Sequence, residues 1–286
     1  MNAVVTPAPA LVTEPGRLAG APRARLTFPG VMRGEWIKLL SLRSTWWVLG
    51  MTVAVITLFA LGQAMSLDVL AESPEAAALG TIHGAEIVSG GYPLGTVTIA
   101  VLGALLITGE YSSGMIRSTL TAVPTRLPVL AAKAIVLTAV TALVTVLSLA
   151  LASLVTRVLL GEHDLVPALN DAQTWQIYGG VLYFLVAAAL FALGIGTLLR
   201  STAGTVTIVL TVLLLLPGIL SIITLDWVEK IVTYLPMPAA AAFVTVSDST
   251  LTDSSELAPW TGVLVVAAWA VVPMVAAAVM LRRRDA

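Results

Sequence analysis

The chain has 286 residues, of which 58% are hydrophobic and only 11% charged, against about 25% charged in an ordinary soluble domain. So few charges cannot cover a water-exposed surface, and a formal net charge of −1 gives no basic excess of the kind that binds nucleic acid. There is no cysteine, which excludes disulfides, iron–sulfur clusters and cysteine-ligated zinc.

The stretch from Met1 to Phe28 is rich in Pro and Ala, holds three arginines and shows no helical periodicity, so it reads as a disordered tail. It does not read as a cleaved signal peptide. The first apolar run starts near Trp46 and is as long as a full span, whereas a signal core is about 7–15 residues. Between Pro29 and Arg43, Met32, Trp36, Leu39 and Leu40 fall on one helical stripe with Gly34, Lys38 and Ser41 opposite. That pattern predicts an interfacial helix over 29–43, with Ile37 and Leu42 off the stripe; the alternative is a plain extension of the first span.

Six stretches lack Asp, Glu, Lys, Arg and His and approach the roughly 20 apolar residues that cross about 30 Å of hydrocarbon as a helix. They are Trp46 to Met65, Tyr92 to Gly109, Ala134 to Thr156, Tyr178 to Leu199, Thr202 to Leu225 and Trp260 to Leu281. Trp46, Trp47, Tyr92, Trp175, Tyr178, Trp227 and Trp260 sit near their ends, where aromatic rings favour the headgroup layer. The fold class is therefore an all-α integral membrane protein with six transmembrane helices. Between Leu225 and Trp260 the connection is too long for a simple turn and carries apolar runs broken at Pro236 and Pro238. It predicts short re-entrant helices between spans five and six, with an ordered external loop as the alternative.

Basic residues set the orientation. Arg17, Arg23, Arg25, Arg33, Lys38, Arg43, Arg117, Arg126, Lys133, Arg200, Arg282, Arg283 and Arg284 all fall on one side, and only Arg157 and Lys230 on the other. The positive-inside rule then puts both termini in the cytoplasm. Twelve acidic residues, from Asp68 to Glu256, lie on the opposite side and agree with this.

Catalytic motifs are missing. None of the three lysines is followed by Ser or Thr, so the phosphate-cradling GxxxxGK[ST] loop is absent, as is HExxH. His83 and His163 lie in acidic external segments and read as solvated surface rather than metal ligands. Nor do the spans keep the carboxylate or histidine that an ion-driven carrier uses as a relay, despite its cost of about 2.5–3.5 kcal/mol. Uphill transport would need energy from another polypeptide.

Two further segments face the same side as the interfacial helix. From Gly109 to Arg126, Ser112 or Ser113 can cap a short helix that Pro124 ends near Val123; a polar loop is the alternative. From Gly194 to Gly204, small residues at a tight connection suit close helix packing in lipid.

With these three segments placed, the chain resembles a permease subunit of the type-2 ABC exporter family from about Arg33 to Arg284. The resemblance rests on Glu35, Lys38, Leu42, Arg43 and Ser44, then on Glu110, Tyr111, Gly114, Ile116, Arg117, Thr119, Leu120, Pro124, Arg126 and Lys133, then on Gly194, Gly196, Leu199, Arg200, Ala203 and Gly204. Met115 stands where that family has Thr. The resemblance implies a half-transporter that carries no cofactor itself: a second permease chain, identical or related, completes the path, and a separate ABC ATPase subunit binds ATP and Mg. It further implies that Ser112 to Val123 is the coupling helix, positioned by Glu110 and Arg117, with Arg126 and Lys133 anchoring the return to the headgroups. Trp36 belongs to the interfacial helix that would transmit ATPase closure. The competing readings are an ATP-independent channel or scaffold, and a membrane-embedded enzyme, which the absence of catalytic groups disfavours.

Overall fold

The computed structural model describes residues 27–72, 82–115, 126–246 and 257–283. The Pro/Ala-rich tail, apart from its last two residues, lies outside them. Among the described residues all regular structure is helical, and six helices are long and apolar enough to cross a membrane. The chain is thus a multi-pass membrane protein.

The first helix, α1, runs Phe28–Ser41, with Pro29 in its first turn where the missing N–H costs nothing. Extended backbone at Leu42 separates it from α2, Arg43–Met65. The short helices α3, Leu67–Ala71, and α4, Gly84–Ser89, follow. The second span, α5, runs Tyr92–Ser112 and ends where Gly114 turns the chain with φ +72°, a conformation open to glycine. Next come α6, Arg126–Glu162, and α7, Ala172–Leu199. The fifth span, α8, is Thr202–Leu220; it is followed by α9, Asp226–Thr233, α10, Pro236–Val244, and α11, Pro259–Arg283.

Packing centres on α5 and α7, the most buried of the six spans, while α8 and α11 are the most exposed. Small residues let the two central helices approach: a Cβ on Gly103 would come within 2.5 Å of the Ala189 carbonyl oxygen. Without a hydrophobic drive between helices in lipid, such close approach supplies the dispersion contacts that hold a bundle.

Several boundaries differ from the sequence expectation, the fourth span starting at Ala172 rather than Tyr178 among them. The second and third spans run on as helix past their uncharged stretches, so that Glu110 lies within α5 and Lys133 within α6. At 37 residues and about 1.5 Å per residue, α6 is longer than the hydrocarbon core is thick. The fifth span ends at Leu220 rather than Leu225. Inside it, residues Thr211–Leu215 form a π turn in which the Leu216 N–H donates to the Thr211 carbonyl. Pro217 follows at once, and a proline cannot donate and crowds the carbonyl four residues back; the widened turn accommodates it.

The long connection after the fifth span forms two helices divided just before Pro236, whereas Pro238, expected as a second break, lies inside the first turn of α10. Pro236 opens α10, which buries Ala239, Ala240 and Phe243 against α7 and α11. The Trp269 indole N–H donates to the Tyr234 carbonyl at 2.9 Å and the Tyr183 hydroxyl to the Val263 carbonyl at 2.8 Å. At this end of the bundle His83 is not merely solvated. Its Nδ1 accepts the Ala85 N–H, capping α4, so its Nε2–H is left to donate to Asp171 at 2.9 Å. Asp171 in turn caps α7 through the Gln173 and Thr174 N–H groups. His163 reaches Asp68 at 3.1 Å.

Candidate functional site

At the end of the bundle that holds α1, four charged side chains converge. The α1 helix contributes Glu35 and Lys38, one turn apart; α5 contributes Glu110 from its last turn; α6 contributes Lys133. The Lys133 ammonium donates to Glu35 Oε2 at 2.5 Å and to Glu110 Oε1 at 2.8 Å. Lys38 repeats the bridge, donating to Glu35 Oε1 at 2.8 Å and to the same Glu110 Oε1 at 3.1 Å. Lys133 is 1% exposed, Glu35 2% and Glu110 5%.

Burying a charge costs several kcal/mol unless it is paired. Here two carboxylates face two ammonium groups, so each charge has an opposite partner within hydrogen-bond reach. Burial opposes the charge on Lys38, but its hydrogen bond to Glu35 and the fields of Glu110 and Glu35 outweigh it and raise its pKa above the ordinary lysine value. Glu110 Oε2 is buried with no hydrogen-bond partner among the described residues.

This cluster departs from the sequence expectation in two ways. Lys133 does not reach headgroups; it is among the most buried side chains in the chain. The inward face of α1 carries Glu35 and Leu39, with Met32 packed against the core, while Trp36 on the expected stripe is 38% exposed and Ile37 56%. A hydrophobic stripe cannot reveal that an acid turns inward when its buried partner, Lys133, lies 98 residues away.

Beside the cluster a second contact joins the next two segments. The α7–α8 connection is only Arg200 and Ser201. Arg200 ends α7 in the left-handed region, φ 56°, and Ser201 caps α8 by accepting the Gly204 N–H at 3.4 Å. The Arg200 guanidinium lies 5.1 Å from the centroid of the Tyr111 ring, within range of a cation–π interaction. Close by, the Thr202 hydroxyl donates to Thr108 Oγ1 at 2.8 Å. Arginine is an unusual occupant of a left-handed position, which costs roughly 1–2 kcal/mol for a residue with a Cβ.

The three glycines of this region differ. A Cβ on Gly194 would meet Pro273 and the Met274 backbone nitrogen at 2.8–2.9 Å, and one on Gly196 would meet Ile107 Cγ2 at 2.7 Å; both sit where helices touch. Gly204 would meet nothing nearer than 3.6 Å, so close packing does not require it. Arg43 stands exposed in the first turn of α2. Ile116, Arg117, Thr119 and Leu120 lie outside the described residues, as does the Arg126 side chain. Among the described residues no group of His, Asp or Glu could hold a metal.

A family model for ABC-2 family transporter proteins matches residues 31–286. The chain belongs to the ABC-2 transporter family. A search of curated proteins finds no match. The family match begins two residues before Arg33, where the sequence resemblance begins, and leaves the whole Pro/Ala-rich tail outside. Membership makes this ABC-2 chain the membrane component of a transport system rather than its catalytic part. Within it, the residues that sequence reasoning placed worst are those of the buried cluster. Glu35, Glu110 and Lys133 were visible as marks of resemblance, but no local signal showed that they meet.

Proposed function

We propose that this ABC-2 chain is the permease subunit of an ATP-driven exporter. It sits in the cell membrane with both termini in the cytoplasm, forms the translocation path with a second permease chain, and takes its energy from a separate ABC ATPase that binds ATP and Mg. The supporting observation is the Glu35–Lys38–Glu110–Lys133 cluster. Glu110 and Lys133 flank the segment 112–123, and both are bound to α1. A push on that segment would therefore reach the interfacial helix and two spans together, because ion pairs in low dielectric resist separation. In this reading Ser112 to Val123 is the coupling helix, Ile116, Arg117, Thr119 and Leu120 meet the ATPase, and the Tyr111–Arg200 contact ties the second connection on that side to the same unit. The helices α9 and α10 are re-entrant and close the outer side.

The test is reconstitution with the ATPase. Replacing Ile116 and Arg117 together should leave insertion intact, lose ATPase co-purification and abolish export. Uphill transport by the permease alone in liposomes, or normal ATPase capture and export by that variant, would overturn the reading in favour of an ATP-independent channel or scaffold.

A further inference from the structure

Where Leu42 breaks the chain between α1 and α2, the first turn of α2 presents Arg43, Trp46 and Trp47 around an open cavity of about 350 Å³. The Trp46 indole N–H donates to the Leu40 carbonyl at 2.9 Å, so its ring is pinned across the junction. Trp47 is 81% exposed, and its N–H makes no hydrogen bond to a described residue. Arg43 has no carboxylate partner among the described residues. The buried acids of the four-residue cluster, Glu35 and Glu110, are committed to Lys38 and Lys133.

The open cavity is bordered by two indole side chains and one permanent cation, and those three side chains supply no carboxylate. Leu42, next to Arg43 in the chain, and Met51, one helical turn on from Trp47, are exposed and apolar. A ligand suited to it carries an anionic group that a guanidinium can grip with two parallel hydrogen bonds and continues into a hydrocarbon tail along α2. Indole rings prefer this depth, between headgroups and acyl chains. We propose that the Arg43–Trp46–Trp47 cavity binds the headgroup phosphate of one anionic phospholipid. No carboxylate stands in the cavity to receive the ammonium of a zwitterionic head, which favours a lipid with net negative charge. The site rests on α2 spanning the bilayer and is independent of any ATPase contact.

The test uses the full chain purified in detergent, delipidated, and titrated with phosphatidylglycerol or phosphatidylcholine under native mass spectrometry. One phosphatidylglycerol should bind more tightly than phosphatidylcholine. Arg43→Gln should weaken it about fivefold, the effect of one basic residue at an anionic headgroup, and Trp47→Phe by a smaller factor. Arg33→Gln, an exposed arginine outside the cavity, should leave it unchanged. Equal losses in Arg33→Gln and Arg43→Gln would mean a diffuse basic surface and overturn the site, as would phosphatidylcholine bound equally well. Displacement of the lipid by millimolar inorganic phosphate would assign the cavity to free phosphate instead. Because the chain has no cysteine, Trp47→Cys gives a clean check: high-yield crosslinking of two chains in the membrane would make a second copy the occupant. Should Arg43→Gln fail to fold, an unchanged lipid affinity in Trp47→Phe overturns the proposal by itself.

Discussion

Lys133 of α6 and Glu35 of α1, 98 residues apart in sequence, form a buried ion pair. With the Lys38–Glu110 bond and buried Leu39 it fixes the N-terminal helix to the bundle, and Glu110 closes it into a cluster. Removing one member of such a buried set strands the other charges, which costs about 3–5 kcal/mol, whereas replacing a whole set by packed apolar groups can be neutral. Lys133→Met should therefore lower the detergent melting temperature sharply. The combined variant Lys133→Met with Glu35→Leu, Lys38→Leu and Glu110→Leu should recover much of that loss. If the ion pairs serve coupling, the combined variant stays inactive in export while folded. Full activity in it would reduce the cluster to a packing feature.

The spans were legible in the sequence because twenty apolar residues without a charge have few other fates, and Pro236 marked the start of α10 correctly. The cluster was not. Sequence patterns report burial through apolar residues, and nothing local shows that Glu35 turns inward to meet Lys133 of α6. The fifth span ends earlier than hydropathy predicts because Ile222, Ile223 and Leu225 continue the hydrophobic run past Leu220, where the helix that holds Pro217 and the π turn closes. Hydropathy measures transfer from water; it does not measure whether backbone hydrogen bonds can continue.

Arg200 offers a separation of backbone strain from side-chain contact. Arg200→Ala keeps the left-handed residue with its cost of roughly 1–2 kcal/mol and loses a cation–π contact of about 0.5–1 kcal/mol. Arg200→Gly loses the same contact but relieves the strain. Melting temperatures in detergent should therefore rank Arg200→Gly above Arg200→Ala. Both variants should lose export in the reconstituted complex, if the Tyr111 contact carries motion between the two connections. An Arg200→Gly variant with unimpaired export would leave the contact without a transport role.

Gly194 and Gly204 make a matched pair. Alanine at 194 would press on Pro273 and the Met274 backbone, which cannot move without shifting α11, and overpacking of that kind costs about 1–3 kcal/mol. Alanine at 204 would make only ordinary van der Waals contacts, none nearer than 3.6 Å, and improves helix propensity by roughly 0.5–1 kcal/mol. Thermal unfolding followed by helical circular dichroism should show Gly194→Ala destabilised and Gly204→Ala unchanged or slightly stabilised. The reverse order would mean that the α7–α11 contact is looser than its geometry.

At the opposite end, the hydrogen bond from the Gln173 N–H, aided by Thr174 and His83, holds the Asp171 carboxyl below its ordinary value of 3.8. A depressed carboxyl pKa contributes stability that is fully present above the unfolded value and is lost as pH falls through the lower folded value. The cap on α7 should therefore survive mild acid and weaken only below about pH 4. Asp171→Asn can still accept from the α7 N–H groups but carries no charge, so its melting temperature should be lower than wild type at neutral pH and converge on it as the carboxyl is protonated. A difference between the two proteins that stays constant from pH 7 down to acid unfolding would show that the Asp171 charge is not what holds this end of α7.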